Sequence, residues 1–179
     1  GLKMINIIVK LLKLLNLKNS PQNTNTNETL EIVSLTSESF EDIQNEFIKI
    51  MDDNQMSYKL PIDWERYFLN YFKLKSANEI VGFALTEKKF PVNLSKFAIS
   101  NKWKSRGIGK VALKLWEDYN NLIFKKLNVY NYLIHLECDK NTIGFYKKQG
   151  YKQYGGYKLE KEGEVLDRIF MKKFIILKD

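Results

Sequence analysis

Two short stretches carry residue types and spacings that can do chemistry. The first is Trp103–Lys110, WKSRGIGK. A strand there should run into a tight turn that opens directly into an amphipathic helix. The first amides of a helix have no partner inside it, and the helix dipole adds partial positive charge. Gly107 and Gly109 should let the backbone approach a ligand closely, and Lys104, Arg106 and Lys110 surround it with positive charge. Such an anion cradle suits a pyrophosphate. It is not a nucleotide P-loop, which needs GxxxxGK followed by Ser or Thr. Nor is it the dinucleotide GxGxxG, because Ala112 stands where the third glycine is needed. The plainer alternative is an ordinary strand-to-helix turn with solvated lysines.

The second stretch is Leu136–Tyr151, LECDKNTIGFYKKQGY. It should hold a short helix that ends at Gly150, a residue suited to a helix C-cap. Phe145 and Tyr146 are adjacent, so only one can point straight into the core. Read alone, Tyr146 is a core aromatic with its hydroxyl at the surface; placed in a cleft, its phenol is a proton donor. Cys138 reads as a small buried residue at a strand end. His135 and Glu137 are two apart on a strand and share one face. With Glu79 and Glu87 they are the candidate proton acceptors.

Composition excludes several other chemistries. One cysteine rules out a disulfide framework or a Cys-cluster zinc site, and one histidine rules out a His-rich metal site and disfavours a His-centred triad. No metal is expected. Three Trp, ten Tyr and eleven Phe exclude disorder throughout. The formal charge of +8 favours anionic partners. The lysines are dispersed over every segment and no known nucleic-acid-binding motif occurs, so no specific nucleic acid is expected; a basic binding module is the competing class.

A chain of 179 residues predicts one domain with a short appendage. In residues 1–18, Asn6, Lys10, Lys13 and Asn16 recur every three to four positions, the pattern of an amphipathic helix. It would dock on its own domain or on a second chain, as in a homodimer; the alternative is a helix lying on an anionic membrane. Lys10 and Lys13 spoil a membrane span. Residues 19–29 are polar and read as a linker, with the folded domain over 30–179. Strands are expected at 30–35, 79–87, 93–100, 129–137, 151–160 and 165–176, the last two joined by a Glu162-Gly163 turn. Helices are expected over Ile43–Met51 with Ser37 or Ser39 as cap, around Trp64–Phe72, from about Gly107 to Leu122, and from Asn141 to Gln149. This order implies an α+β or three-layer α/β sheet with helices on both faces.

Together, the strand, RxxGxG-type turn and helix, then a strand and a helix ending FYxxxGY, resemble the GNAT family of acetyl-CoA-dependent N-acetyltransferases. The resemblance spans about Leu30–Lys173 and is strongest over Ser95–Tyr151. It implies a partly splayed mixed sheet, acetyl-CoA as cosubstrate, and a ternary complex with an amine. The backbone of Lys104, Ser105, Arg106, Gly107, Ile108, Gly109 and Lys110 would grip the pyrophosphate, with Lys104 where Arg or Gln is usual. Phe97, Ala98 and Ile99 would pair with the pantetheine arm, and Asn141 is the nearest match to an Asn that reaches it. Tyr146 takes the place of the usual general acid. The LEC and FYKKxGY wording also resembles the glucosamine-phosphate branch, although Ser95 and Lys96 stand where that branch tends to be acidic. The expected acceptor is the primary amine of a small molecule; a peptide or protein amine is the other alternative. Acceptor specificity should lie between Phe40 and Lys75. The absence of an export signal or disulfide potential points to the cytoplasm.

Overall fold

The computed structural model describes residues 22–23 and 29–178. The helix expected over residues 1–18 lies outside them. Within the stretch read as a linker, Gln22–Asn23 (β1) pair antiparallel with Leu30 and Thr29 of the next strand.

Eight strands form one mixed sheet in the order β1-β2-β3-β4-β5-β6-β8-β7. After β1 they are β2 (Thr29–Ser34), β3 (Tyr67–Leu74), β4 (Glu79–Glu87), β5 (Val92–Ile99), β6 (Asn131–Asp139), β7 (Lys152–Lys161) and β8 (Glu164–Ile176). The helices are α1 (Ser37–Glu41), α2 (Gln44–Asp53), α3 (Ile108–Lys126) and α4 (Ile143–Lys148). Apart from β5–β6, all neighbours run antiparallel.

Two apolar clusters lie on opposite faces. On one face α3 and α4 bury Ile108, Leu113, Trp116 and Tyr146 against Phe72, Ala84, Leu94 and Leu136. On the other, α1 and α2 bury Phe40, Phe47 and Met51 against Leu69, Phe83, Leu85 and Ala98. Fully burying a side chain such as Phe47 or Phe72 contributes about 1.5–3 kcal/mol. Trp116 is fully buried, and its Nε1–H donates to Thr86 Oγ1 at 2.9 Å, which satisfies the one polar atom the ring takes inside.

Two local expectations are corrected. The helix carrying Phe47, Ile50 and Met51 is α2, whose N-cap Ile43 makes no side-chain cap bond, so neither Ser37 nor Ser39 caps it; the capped helix is α1, where Thr36 Oγ1 accepts from the Ser39 amide (3.2 Å) and Ser39 Oγ accepts from the Thr36 amide (2.8 Å). The helix expected around Trp64–Phe72 is instead strand β3, YFLNYFKL. Because helices cover both faces of the sheet there, both faces carry aromatics. The two-residue alternation is lost, and the apolar positions imitate helical spacing. Its aromatic-rich sequence suits a strand. Trp64 itself precedes the strand and meets Phe40 edge-on at 5.7 Å.

Candidate active site

The centre of the sheet is split. The parallel strands β5 and β6 pair only at Val92–Ile134, Asn93–His135 and Leu94–Leu136. Past that point β5 continues to Ile99 and β6 to Asp139 without pairing. The split begins at a bulge: Thr86 faces Leu94 and Leu85 faces Lys96, which leaves Ser95 as the extra residue. A bulge bends its strand and increases the local twist, so β5 turns away from β6. The result is a V-shaped gap edged by backbone with no strand beside it.

Hydrogen-bond alternation decides which groups face the gap. Gly82 lies opposite Ile99, and Ser100 N–H donates to Val81 C=O at 2.7 Å. Alternate residues of an antiparallel pair bond to the partner, so the Ala98 peptide groups point to β4 and those of Phe97 and Ile99 point into the gap. The Ala98 methyl packs with α1 and α2. Of the three residues expected to meet a pantetheine arm, Phe97 and Ile99 therefore turn their backbone groups into the gap and Ala98 does not. The Ile99 carbonyl already accepts from Asn54 Nδ2 at 2.9 Å, and the same amide donates to Ile50 C=O at 2.8 Å. Asn54 thus ties the end of α2 to the arm of the gap, a role that no sequence signal marks. Gly82 permits the close pairing here, since a Cβ would stand 2.5 Å from Ala98 O.

The turn after β5 has the cradle geometry. Ser105 and Gly107 both have positive φ, 61° and 78°. Glycine adopts this freely; for Ser105 it costs about 1–3 kcal/mol, held in place by the surrounding turn. Gly107 is the N-cap of α3 and supplies no side-chain cap. The helix amides of Ile108, Gly109 and Lys110 therefore open onto the turn. Lys104, Ser105, Arg106 and Lys110 are exposed around it. The Arg106 guanidinium sits 5.1 Å over the Trp103 ring, and Trp103 Nε1–H donates to Glu79 at 3.2 Å. A Cβ at Gly109 would stand in ordinary contact, 3.6 Å from Phe145 and 3.8 Å from Ile99, so that side of the residue faces apolar packing.

On the α3–α4 face, Phe97 packs parallel to Phe145 at 6.4 Å. Tyr146 is buried at 8% exposure, edge-on to Phe145 and Tyr151. Its hydroxyl hydrogen-bonds to none of the described residues. Burial pushes this phenol well above its usual range, reinforced by Cys138, so it stays protonated at neutral pH. Cys138 is buried and its thiol is also pushed up by burial, the opposite of an activated nucleophile. Asn141 lies exposed in the 3-10 turn Lys140–Thr142, and its side chain makes no bond to the described residues.

Behind Tyr146 lies an ion pair whose carboxylate is buried and whose lysine is partly exposed. Glu117 of α3, 6% exposed, holds Lys173 Nζ at 2.7 Å, and that ammonium also donates to Gln149 C=O at 2.8 Å. The Tyr151 hydroxyl reaches Glu117 at 3.4 Å. The pair thus fastens the C-terminal end of α4 to α3 and β8.

The four candidate proton acceptors separate on the structure. Burial pushes the carboxyls of Glu79, Glu87 and Glu137 up, but their partners hold all three below the usual range. Glu79 is held by Trp103 and Lys102, and Glu87 by Lys89, Arg66 and Asn93. Glu137 is held by Arg168 Nε (2.8 Å) and the Tyr157 hydroxyl (2.7 Å). His135 differs. Asn93 Nδ2 donates to Glu87 at 3.0 Å, so Asn93 Oδ1 is the atom 2.9 Å from His135 Nδ1. His135 Nδ1 must carry the hydrogen, which leaves the Nε2 lone pair free. Burial and Lys89 lower its pKa below 6.5. As the only histidine in the chain, it gives a clean test. Its Cε1–H resonance in proton NMR should titrate with a midpoint below 6.5; a midpoint above that value would remove the neutral imidazole. By linkage, the stability tied to this group is full above about 6.5 and falls as pH drops toward its folded pKa.

A family model described as Acetyltransferase (GNAT) domain matches residues 28–173. No curated protein sequence matches the chain. Among solved structures, the ribosomal-protein-S18-alanine N-acetyltransferase of Escherichia coli aligns over 84% of this chain and 96% of its own, with a TM-score of 0.59 and 18% identity. Ard1 from Thermoplasma volcanium aligns over 82% and 98%, at 0.56 and 17%. A mutant spermidine N-acetyltransferase SpeG from Vibrio cholerae aligns over 81% and 93%, at 0.60 and 15%.

Proposed function

Because the chain belongs to the GNAT acetyltransferase family, an acyltransferase family that uses acetyl-CoA, we propose that it moves an acetyl group from acetyl-CoA to the primary amine of a small molecule, by direct attack in a ternary complex. The observation that carries this reading is the gap between β5 and β6, with unpaired backbone on its arm and an anion cradle at its end. The cradle residues fit a pyrophosphate: open helix amides, two left-handed residues and three cationic side chains. The peptide groups of Phe97 and the Ile99 amide would take the place of a neighbouring strand for the pantetheine arm, and Asn141, in the turn that follows β6, would reach that arm from the other side.

Two residues then handle protons. Tyr146, neutral and without a hydrogen-bond partner among the described residues, donates to the sulfur that leaves as thiolate. His135 Nε2 accepts from the amine on the opposite face of the sheet, one rung below the split. The thioester carries the acyl chemistry, and the chain orients it and excludes water. No covalent acyl-enzyme is required, in keeping with the inert surroundings of Cys138.

The first test is a thermal melt with acetyl-CoA, CoA and free adenine nucleotides. Ligand at a hundred times its dissociation constant should add about 2.7 kcal/mol of stability. A shift specific to acetyl-CoA and CoA supports the reading. No shift at millimolar ligand rejects it in favour of a basic binding module, whose polyanion binding would fall steeply with salt.

A further inference from the structure

The face of the gap opposite Tyr146 holds a lysine without a partner among the described residues. Lys96 follows the bulge and lies opposite Leu85, whose side chain belongs to the α1–α2 face. It is half-buried on the arm that has left β6, and it makes no ion pair or hydrogen bond among the described residues. The acids facing it across the gap are Glu137 and Asp139, and both are already bound. Arg168 bridges them through Nε to Glu137 (2.8 Å) and Nη1 to Asp139, and Tyr157 adds a third contact to Glu137. The remaining charge that bears on Lys96 is Lys161. An ammonium partly removed from water without a counter-charge is unfavourable, and a ligand anion placed there relieves it.

We propose that the acceptor amine carries an anionic group, a carboxylate or a phosphate, that lies against Lys96 at the mouth of the gap. This rests on the acetyl-transfer reading and narrows it. The amine would then reach the split while its anion stays beside Lys96. A polycationic amine would instead meet Lys96, Lys161 and Arg168 with like charge.

The test measures thiol release at saturating acetyl-CoA with matched amines: glucosamine 6-phosphate against glucosamine, alanine against alaninamide, and spermidine as the polycation. In at least one pair the anionic member should show a kcat/KM at least tenfold above its neutral counterpart, with spermidine the slowest. The pair that responds distinguishes phosphate from carboxylate. Lys96→Met should bring that ratio close to one, and Lys96→Arg should keep it, with the acetyl-CoA melting shift unchanged in both. A neutral or polycationic preference overturns the proposal, as does a ratio that survives Lys96→Met. So does loss of turnover in Lys96→Arg equal to that in Lys96→Met, which would make Lys96 a proton acceptor. Absence of turnover with every anionic amine, while acetyl-CoA still raises the melting temperature, also overturns it. Absence of any acetyl-CoA shift instead rejects the underlying transferase reading.

Discussion

Replacing Tyr146 by Phe should lower turnover by roughly a hundredfold, the lower end of the range for a positioned general acid. That factor corresponds to about 2.7 kcal/mol of transition-state stabilisation. Acetyl-CoA affinity should hardly change, because the substitution removes one oxygen and leaves the cradle and the arm of the gap intact. The hydroxyl is buried and bonds to none of the described residues, so deleting it leaves nothing orphaned, and fold stability should hold or rise. The combination is diagnostic: slower turnover in a protein that melts no earlier. Steady-state kinetics with the best amine and a parallel melt supply both readings. Unaltered turnover across the pH range would exclude Tyr146 from the acid role. A joint fall in turnover and melting temperature would make it a packing residue.

The largest loss of stability is expected from Lys173→Met. The substitution leaves Glu117 at 6% exposure without its cation, and Gln149 C=O loses a donor. Removing one partner of a buried pair costs about 3–5 kcal/mol. Against a total of about 5–15 kcal/mol, this threatens the fold itself. The loss should depend on pH. Burial already raises the Glu117 carboxyl above the ordinary carboxylate value, with Lys173 opposing. Without Lys173 it rises further. A group raised in the folded state contributes stability that is full below its unfolded pKa and is lost as pH rises through the folded one. The gap between variant and parent should therefore be widest near pH 8 and narrow toward pH 5. Urea unfolding at both pH values reads this directly. Glu117→Gln combined with Lys173→Met removes the stranded charge and should recover part of the loss at pH 8. A gap independent of pH would show that the loss is one of packing, not of charge.

The legible parts of the molecule share a cause. The turn at Gly107 needs a backbone conformation few residues adopt, and the helix after it has an apolar stripe at Ile108, Ala112, Leu115 and Tyr119 that faces the sheet. Both signals are local, and both survive folding. Strand β4 was expected at the residues where it forms, and the β7–β8 hairpin turns at Glu162-Gly163, where φ is 54° and 80°. Strand β3 was illegible because its aromatic side chains serve two faces, and a pattern that serves two faces has no period of its own. The Thr36 cap was missed among three neighbouring hydroxyl residues, any of which has the right chemistry.

By itself, then, the sequence determined the order of most elements, the glycine turn that opens α3 and the place of Tyr146 on α4, because each depends on residues close together in the chain. Tertiary structure decided what those residues face. The bulge at Ser95 opens the sheet, and pairing with β4 turns Ala98 away from the gap while Phe97 and Ile99 turn into it. Asn93 leaves the free lone pair of His135 on Nε2. Arg168, about 30 residues along the chain from Glu137, claims both acids opposite Lys96 and leaves that lysine without a partner among the described residues. Charge balance at a site is a sum over strands brought together by register, and no local stretch of sequence contains that sum.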